Sequence, residues 1–107
     1  MKLLWLDAET TGLKVRKCVI LEVALSIADL KDPFNATPVY HSVVGYSRDK
    51  WSKLDKFVFE MHTKNGLLEE CAATNAPSIF HVEQELLKFI PEEAIRDDRP
   101  VLAGSTI

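Results

Sequence analysis

The chain has little of several residue types, and each shortage excludes a class of protein. Its two cysteines, Cys18 and Cys71, are too few and too far apart for a disulfide framework or a zinc knuckle. Both lie among apolar residues, which is typical of buried, reduced thiols. No apolar run approaches the roughly 20 residues of a membrane span, and Met1-Lys2 leads into a strand without the regions of a signal peptide. We therefore expect a cytoplasmic protein with no membrane contact.

Basic charge is also scarce. Thirteen lysines and arginines against sixteen acidic residues give a net charge of −3, whereas proteins that coat nucleic acid have a basic surface. This balance still allows an enzyme that holds a short nucleic acid through metal ions. With 47% hydrophobic residues in 107 positions, the composition predicts one small globular domain with a single core.

The first half of the chain alternates between apolar runs and turn residues. A short buried strand is predicted over residues 3–7, and a second strand, rich in β-branched residues, over 18–30. The stretch 29–38, with its prolines, predicts a hairpin loop, and 39–44 a third strand. Three successive strands with short connections favour an antiparallel meander.

The second half changes to helical periodicity. Apolar residues three and four positions apart predict helices over 52–62, 67–73 and 78–90, with Asn65-Gly66 as the C-cap of the first. Residues 100–104 then predict a fourth strand. Because parallel strands need a long crossover, and the helical block supplies one, the sequence predicts an α/β domain whose fourth strand runs parallel to its first.

Two carboxylates follow the first apolar run. Asp7 and Glu9 are two residues apart, so in an extended strand they point the same way. Convergent carboxylates repel each other unless a positive charge lies between them, and a divalent metal ion supplies it. The alternative is a pair of solvated strand-end residues, with Thr10 and Thr11 shaping a turn. The bare triplet favours that alternative, whereas the buried strand before it and the Thr-Gly turn after it favour a metal site.

This string carries a resemblance. Residues 4–13, LWLDAETTGL, resemble the first exonuclease motif of the DEDD family of 3′→5′ exonucleases, which have a ribonuclease H-like fold. Three further stretches, in the family's order and with similar spacing, resemble oligoribonuclease: Val19–Ala24, Met61–Leu67 and Val101–Ile107. The resemblance covers nearly the whole chain. It implies a ribonuclease H-like mixed sheet with three antiparallel strands, a helical crossover, and a fourth strand parallel to the first.

The resemblance also assigns roles to individual residues. Asp7 and Glu9 would be catalytic and would ligate two divalent cations, Mg²⁺ or Mn²⁺, on either side of an in-line displacement. A second set would bind the 3′-terminal nucleotide. Its members are Thr11, Gly12, Leu13, Phe57 (where the family usually has a base-stacking tryptophan), His62 and Thr106.

Each of these assignments has a structural alternative. Phe57 occupies an apolar helix position, and periodicity alone favours a place in the core. His62 is equally typical of a helix-end histidine bonded to a carbonyl group. Glu22 lies inside an apolar strand, where a carboxylate is costly unless paired, so we expect a structural partner for it and no catalytic role. Six basic residues near Trp51 fit either a path for phosphates or a solvated face: Lys14, Arg16, Lys17, Lys50, Lys53 and Lys56.

The resemblance is incomplete. The family needs a second metal-binding aspartate a few residues after the last matching stretch, then a histidine and a third aspartate in a later helix. Residues 1–107 hold none of the three, and they also lack the fifth strand and C-terminal helices. We therefore expect a single incomplete exonuclease domain, the N-terminal part of a longer protein, inactive alone.

In complete form the predicted protein is a 3′→5′ exoribonuclease that degrades short oligoribonucleotides to mononucleotides by two-metal-ion hydrolysis. Its partners would be short single-stranded RNA and a second copy of itself. Two alternatives stay open. One is a proofreading-type exonuclease of the same fold that acts on DNA. The other is a truncated, non-catalytic module that binds a nucleotide or another chain, for which an exposed apolar sheet face would be evidence.

Overall fold

A four-stranded sheet organises the chain, of which the computed structural model describes residues 2–12, 18–90 and 101–104. The strand order is β3-β2-β1-β4. The first three strands pair antiparallel, and β4 runs parallel to β1. The predicted meander and the parallel return are thus confirmed. The strands are β1 (Lys2–Thr10), β2 (Ile20–Asp29), β3 (Asp32–Val43) and β4 (Val101–Ala103).

Between β3 and β4 the chain forms one 3₁₀ helix and three short α-helices. Side chains cap two of the α-helices: Asp55 accepts from the Phe57 amide at 3.1 Å, and Ser78 from the His81 amide at 3.2 Å. Gly66 makes the turn from α1 to α2 with a φ of 80°, which glycine adopts without strain. The helices are the 3₁₀ helix (Arg48–Lys53), α1 (Lys56–Lys64), α2 (Leu67–Ala72) and α3 (Ile79–Leu87).

The predicted hairpin loop over 29–38 is wrong. β3 already begins at Asp32, so only Leu30 and Lys31 separate it from β2. Pro33 and Pro38 lie within β3, where a missing N–H is tolerated because β3 is an outer strand of the sheet. The β2–β3 pairing also shifts register at two points along this stretch. Such irregularities leave single residues unpaired, which suits prolines because they have no N–H to donate.

The predicted helix over 52–62 is also misplaced. The chain instead forms the 3₁₀ helix followed by α1, and the inward face of α1 differs from the predicted stripe. Phe57 and Met61 are 71% and 41% exposed, whereas His62 is fully buried. Phe59 packs against the core and meets the Trp51 ring edge-on at 6.1 Å. The periodicity-based placement of Phe57 in the core is therefore wrong.

The core lies between the sheet and helices α2 and α3. One cluster joins Leu21 of β2 to Leu67, Leu68 and Cys71 of α2. A second joins Val23 and Val44 to Val82 of α3. Each cluster contains a residue of β2, Leu21 in the first and Val23 in the second. No helix in the described residues combines the length and hydrophobicity needed to cross a membrane.

We expect the Leu68→Ala variant to be strongly destabilised. Leu68 has no exposed surface, so truncation removes buried apolar area and leaves a cavity, at a cost of about 2–5 kcal/mol in the free energy of unfolding. Urea denaturation followed by circular dichroism measures this. The matched control is Leu87→Ala on α3, where the side chain is 57% exposed and the loss should stay below about 1 kcal/mol. Equal losses in both variants would contradict the described core.

Cys71 lowers the stability of the folded chain at alkaline pH. Burial raises the pKa of its thiol, with smaller effects from the Val44 backbone hydrogen bond, which lowers it, and from Glu22 and Glu70, which raise it. The folded chain therefore keeps this proton at a pH where the unfolded chain loses it. The resulting stability is present below about pH 8.5 and is lost as pH rises further.

We expect the Cys71→Ala variant to lose less stability than the parent chain between about pH 7 and pH 10, because alanine has no proton to lose. Urea midpoints at the two pH values, compared between the chains, measure the difference. Comparison with the parent cancels other groups that titrate in this range, such as Tyr46, whose pKa is raised by burial and by Asp49. Parallel losses in both chains would contradict the assignment to Cys71.

Candidate active site

Asp7 and Glu9 lie inside β1, because this strand extends three residues beyond its predicted end. Side chains alternate between the two faces along a strand, so these two, being two residues apart, lie on the same face of the sheet. Asp7 is exposed to solvent and Glu9 is half-buried. Antiparallel pairing sets Ala24 opposite Asp7 and Glu22 opposite Glu9. The two carboxylates are therefore held two residues apart by a continuous ladder, on a surface that solvent reaches.

Glu22 shares this face, since directly opposed residues of an antiparallel pair point the same way. Its carboxylate accepts a hydrogen bond from Nε2 of His41 on β3 at 2.7 Å. The expected structural partner therefore exists, and it is a histidine within the sheet. His41 itself gives no signal in the sequence, because its pairing depends on the β2–β3 register. The contact draws the Glu22 carboxylate towards β3, on the side away from β1.

The donor chemistry of Asp7 and Glu9 fits a hard divalent cation, since carboxylate oxygens are the ligands that Mg²⁺ and Mn²⁺ prefer. Within residues 2–12, 18–90 and 101–104, no group of three or more His, Cys, Asp or Glu side chains is placed to hold a metal ion. The pair therefore fits part of a metal site, and the described residues do not complete it.

The turn after β1 is held by its own threonines. The Thr10 hydroxyl donates to the Gly12 carbonyl at 2.7 Å. Thr11 is fixed twice to Val19, its amide donating to the Val19 carbonyl at 3.0 Å and its hydroxyl accepting from the Val19 amide at 2.9 Å. Among the described residues, no atom lies within 4 Å of a Cβ added at Gly12, so this part of the chain leaves space beside the turn. Leu13 and Thr106 lie outside the described residues.

The two helical residues of the predicted site have different surroundings. Phe57 is largely exposed at the start of α1. His62 is fully buried, and its Nε2 donates to the Thr10 carbonyl at 3.0 Å. Its Nδ1 has no partner among the described residues. His62 therefore contacts the backbone residue that follows Glu9, and it ties α1 to the carboxylate-bearing strand.

We expect the His62→Leu variant to lose about 1–3 kcal/mol of stability, because the carbonyl of half-buried Thr10 would lose its side-chain donor. His62→Gln should lose less, since its amide nitrogen can still donate there. Urea denaturation of the two variants beside the parent chain measures the difference. A glutamine variant that is as unstable as the leucine variant would show that packing at His62, and not this hydrogen bond, supports the strand.

No protein-family model matches the chain. Individual proteins do. The chain is 32% identical over 108 residues to a probable oligoribonuclease of Schizosaccharomyces pombe, in an alignment covering 98% of the chain and 41% of that protein. It is 35% identical over 106 residues to an oligoribonuclease of Corynebacterium diphtheriae, covering 99% of the chain and 50% of the relative.

A third relative, an oligoribonuclease of Colwellia psychrerythraea, is 31% identical over 104 residues, covering 96% of the chain and 56% of that protein. The chain thus spans about half the length of the relatives it matches, while nearly all of the chain is matched. The similarity extends across the sheet and the helical block alike, and it includes both Asp7 and Glu9 within the aligned length.

Proposed function

The chain is homologous to the oligoribonucleases over nearly all of its length, and we propose that the complete protein is a 3′→5′ exoribonuclease that degrades short oligoribonucleotides to mononucleotides. One observation supports this most directly. Asp7 and Glu9 share one face of a fixed strand, and the described residues leave open space beside Gly12 in the turn that follows them. A terminal nucleotide in that space would lie beside both carboxylates.

In the proposed mechanism Asp7 and Glu9 hold divalent cations, Mg²⁺ or Mn²⁺, through their oxygens. When bound, two such ions supply charge stabilisation for an in-line displacement at phosphorus and ready deprotonation of water. Asp7 is exposed to solvent, and the ladder to β2 fixes the backbone of Glu9. Glu22 stays outside this set, because His41 occupies its carboxylate.

The same proposal assigns substrate contacts to the neighbouring residues. Thr11, Gly12, Leu13 and Thr106 would line the pocket of the 3′-terminal nucleotide. The exposed ring of Phe57 would stack on a base, a contact that tolerates any base and suits single-stranded RNA. Burial leaves His62 no surface for the nucleotide, so its proposed part is to hold the Thr10 carbonyl beside Glu9.

The rest of the metal site belongs, in this proposal, to the portion of the relatives that the chain does not span. β4 runs parallel to β1, with Ala103 level with Trp5, so β4 points towards the end of β1 that carries Asp7 and Glu9. That direction suits a further aspartate soon after the fourth strand, as the resemblance implies. Residues 1–107 alone would then be inactive, and the complete protein would act as a homodimer.

We expect Asp7→Asn and Glu9→Gln, each made in the full-length protein, to lower the rate of dinucleotide hydrolysis by at least about a hundredfold. Each change removes a negative charge from the metal site, and effects of that order follow the loss of one group that stabilises the transition state. Chromatographic measurement of mononucleotide release in Mg²⁺ and in Mn²⁺ tests this. Normal hydrolysis by either variant would contradict the proposed site.

The matched control is Glu60→Gln, an equal charge change at an exposed position of α1, which should leave the rate unchanged. The RNA assignment is tested with the same enzyme. Hydrolysis of single-stranded DNA as fast as that of di- to pentaribonucleotides would favour the DNA exonuclease. Titration of Mn²⁺ into the 107-residue chain tests the remaining alternative, since no binding, together with a stable complex with another chain, would favour an interaction module.

A further inference from the structure

A half-open groove of about 710 Å³ adjoins the candidate active site. Thr11 lines it at one place, so the groove is continuous with the proposed nucleotide pocket. The 3₁₀ helix contributes Lys50 and Lys53, and the start of α3 contributes Phe80. A groove of this size lies in the range that accommodates small ligands.

The charge of the groove is positive in an otherwise acidic chain. Lys50 and Lys53 line it, and no aspartate or glutamate among the described residues does. In the part of the chain that the structure describes, neither lysine forms an ion pair. Arg48, on the same helix, differs because Glu69 engages its guanidinium through two hydrogen bonds. Two ammonium groups are therefore available to an anion in the groove.

Exposed apolar side chains also line the groove. Phe80 is 74% exposed, and Ile79 and Val19, which also line the groove, are 41% and 49% exposed. Tyr46 adds a second ring, with the Lys50 ammonium 6.0 Å from its centroid. Cationic side chains beside exposed aromatic rings are the combination that binds single-stranded nucleic acid, since the cations meet phosphates and the rings stack on bases.

The floor of the groove is fixed before any ligand arrives. Gly45 donates its amide to the Pro77 carbonyl at 2.7 Å, and Tyr46 donates to the Cys71 carbonyl at 2.8 Å. A Cβ at Gly45 would lie 3.3 Å from the Ala76 carbonyl oxygen, a tight contact, so the close approach of these segments favours glycine there. A preformed surface binds without first losing conformational entropy.

We propose that this groove binds the part of a single-stranded oligonucleotide that lies 5′ to the terminal nucleotide. Lys50 and Lys53 contact its phosphates, and Phe80 stacks on one of its bases. The inference rests on the proposed function, since the terminal nucleotide is placed at Thr11 and Gly12. It adds a consequence for substrate length: the groove contributes to binding of pentanucleotides and contributes nothing to binding of dinucleotides.

The test is fluorescence anisotropy of labelled di- and pentaribonucleotides with the 107-residue chain in Ca²⁺, a hard cation for carboxylate ligands. We expect the Lys50→Gln/Lys53→Gln double variant to bind the pentanucleotide more weakly. Its plot of log Kd against log salt should be shallower by about 0.7 for each lost phosphate contact. Phe80→Ala should weaken pentanucleotide binding about tenfold. Dinucleotide affinity should stay unchanged in all variants.

The matched control is Lys31→Gln/Lys88→Gln, an equal change of charge at two lysines that do not line the groove. Unchanged pentanucleotide binding by both groove variants would overturn the proposal. The same follows if the control loses as much affinity as the double variant, or if the parent chain binds neither oligonucleotide. Repeating the titration in EDTA separates this inference from the metal site, because the lysine contribution should persist when Asp7 and Glu9 hold no ion.

Discussion

The pairing of β1 with β2 is the interaction on which the rest of the structure depends. Among the described strands, β3 pairs with β2 alone and β4 with β1 alone. Leu21 and Val23 of β2 anchor the two core clusters and therefore the helices. The same ladder aligns Asp7 with Ala24 and Glu9 with Glu22. A slip of one residue would turn every side chain of β1 to the opposite face, so the register that buries the core also exposes the carboxylates.

Local sequence signals predict the fold where the local and tertiary preferences agree. Ser78 and Asn65-Gly66 mark helix boundaries for local reasons. The Ser78 side chain accepts a hydrogen bond at the start of its helix, and Gly66 adopts the turn conformation after its helix without strain, whatever the helix packs against. Pro33 and Pro38 mislead for the opposite reason. Their local effect is to break a strand, but an outer strand needs only one of its edges for pairing. Which strand is outermost is decided by the whole sheet, and no short window of sequence contains that information.

The residues of the candidate site also differ in whether local sequence alone predicts their positions. Asp7 and Glu9 could be placed from the sequence because strand alternation is a local rule. Phe57 and His62 could not, since the direction of a helix face depends on what it packs against. Their separation of five residues corresponds to about 140° around a helix, so one ring points outward when the other points inward. Sequence similarity alone associates both with one nucleotide, whereas their burial gives them different surroundings.

The irregular end of β1 explains how helix α1 reaches the carboxylate strand. The β1–β2 register shifts between Glu9 and Thr10, so that Thr10 pairs with Ile20 and Leu21 is the extra residue. Bulges of this kind interrupt the ladder and re-aim the strand. Here Leu21 enters the core, and the Thr10 carbonyl accepts from His62. Because that carbonyl follows Glu9 directly, a displacement of α1 would reach the strand that carries the two carboxylates through its backbone, without any side chain of α1 having to contact Asp7 or Glu9.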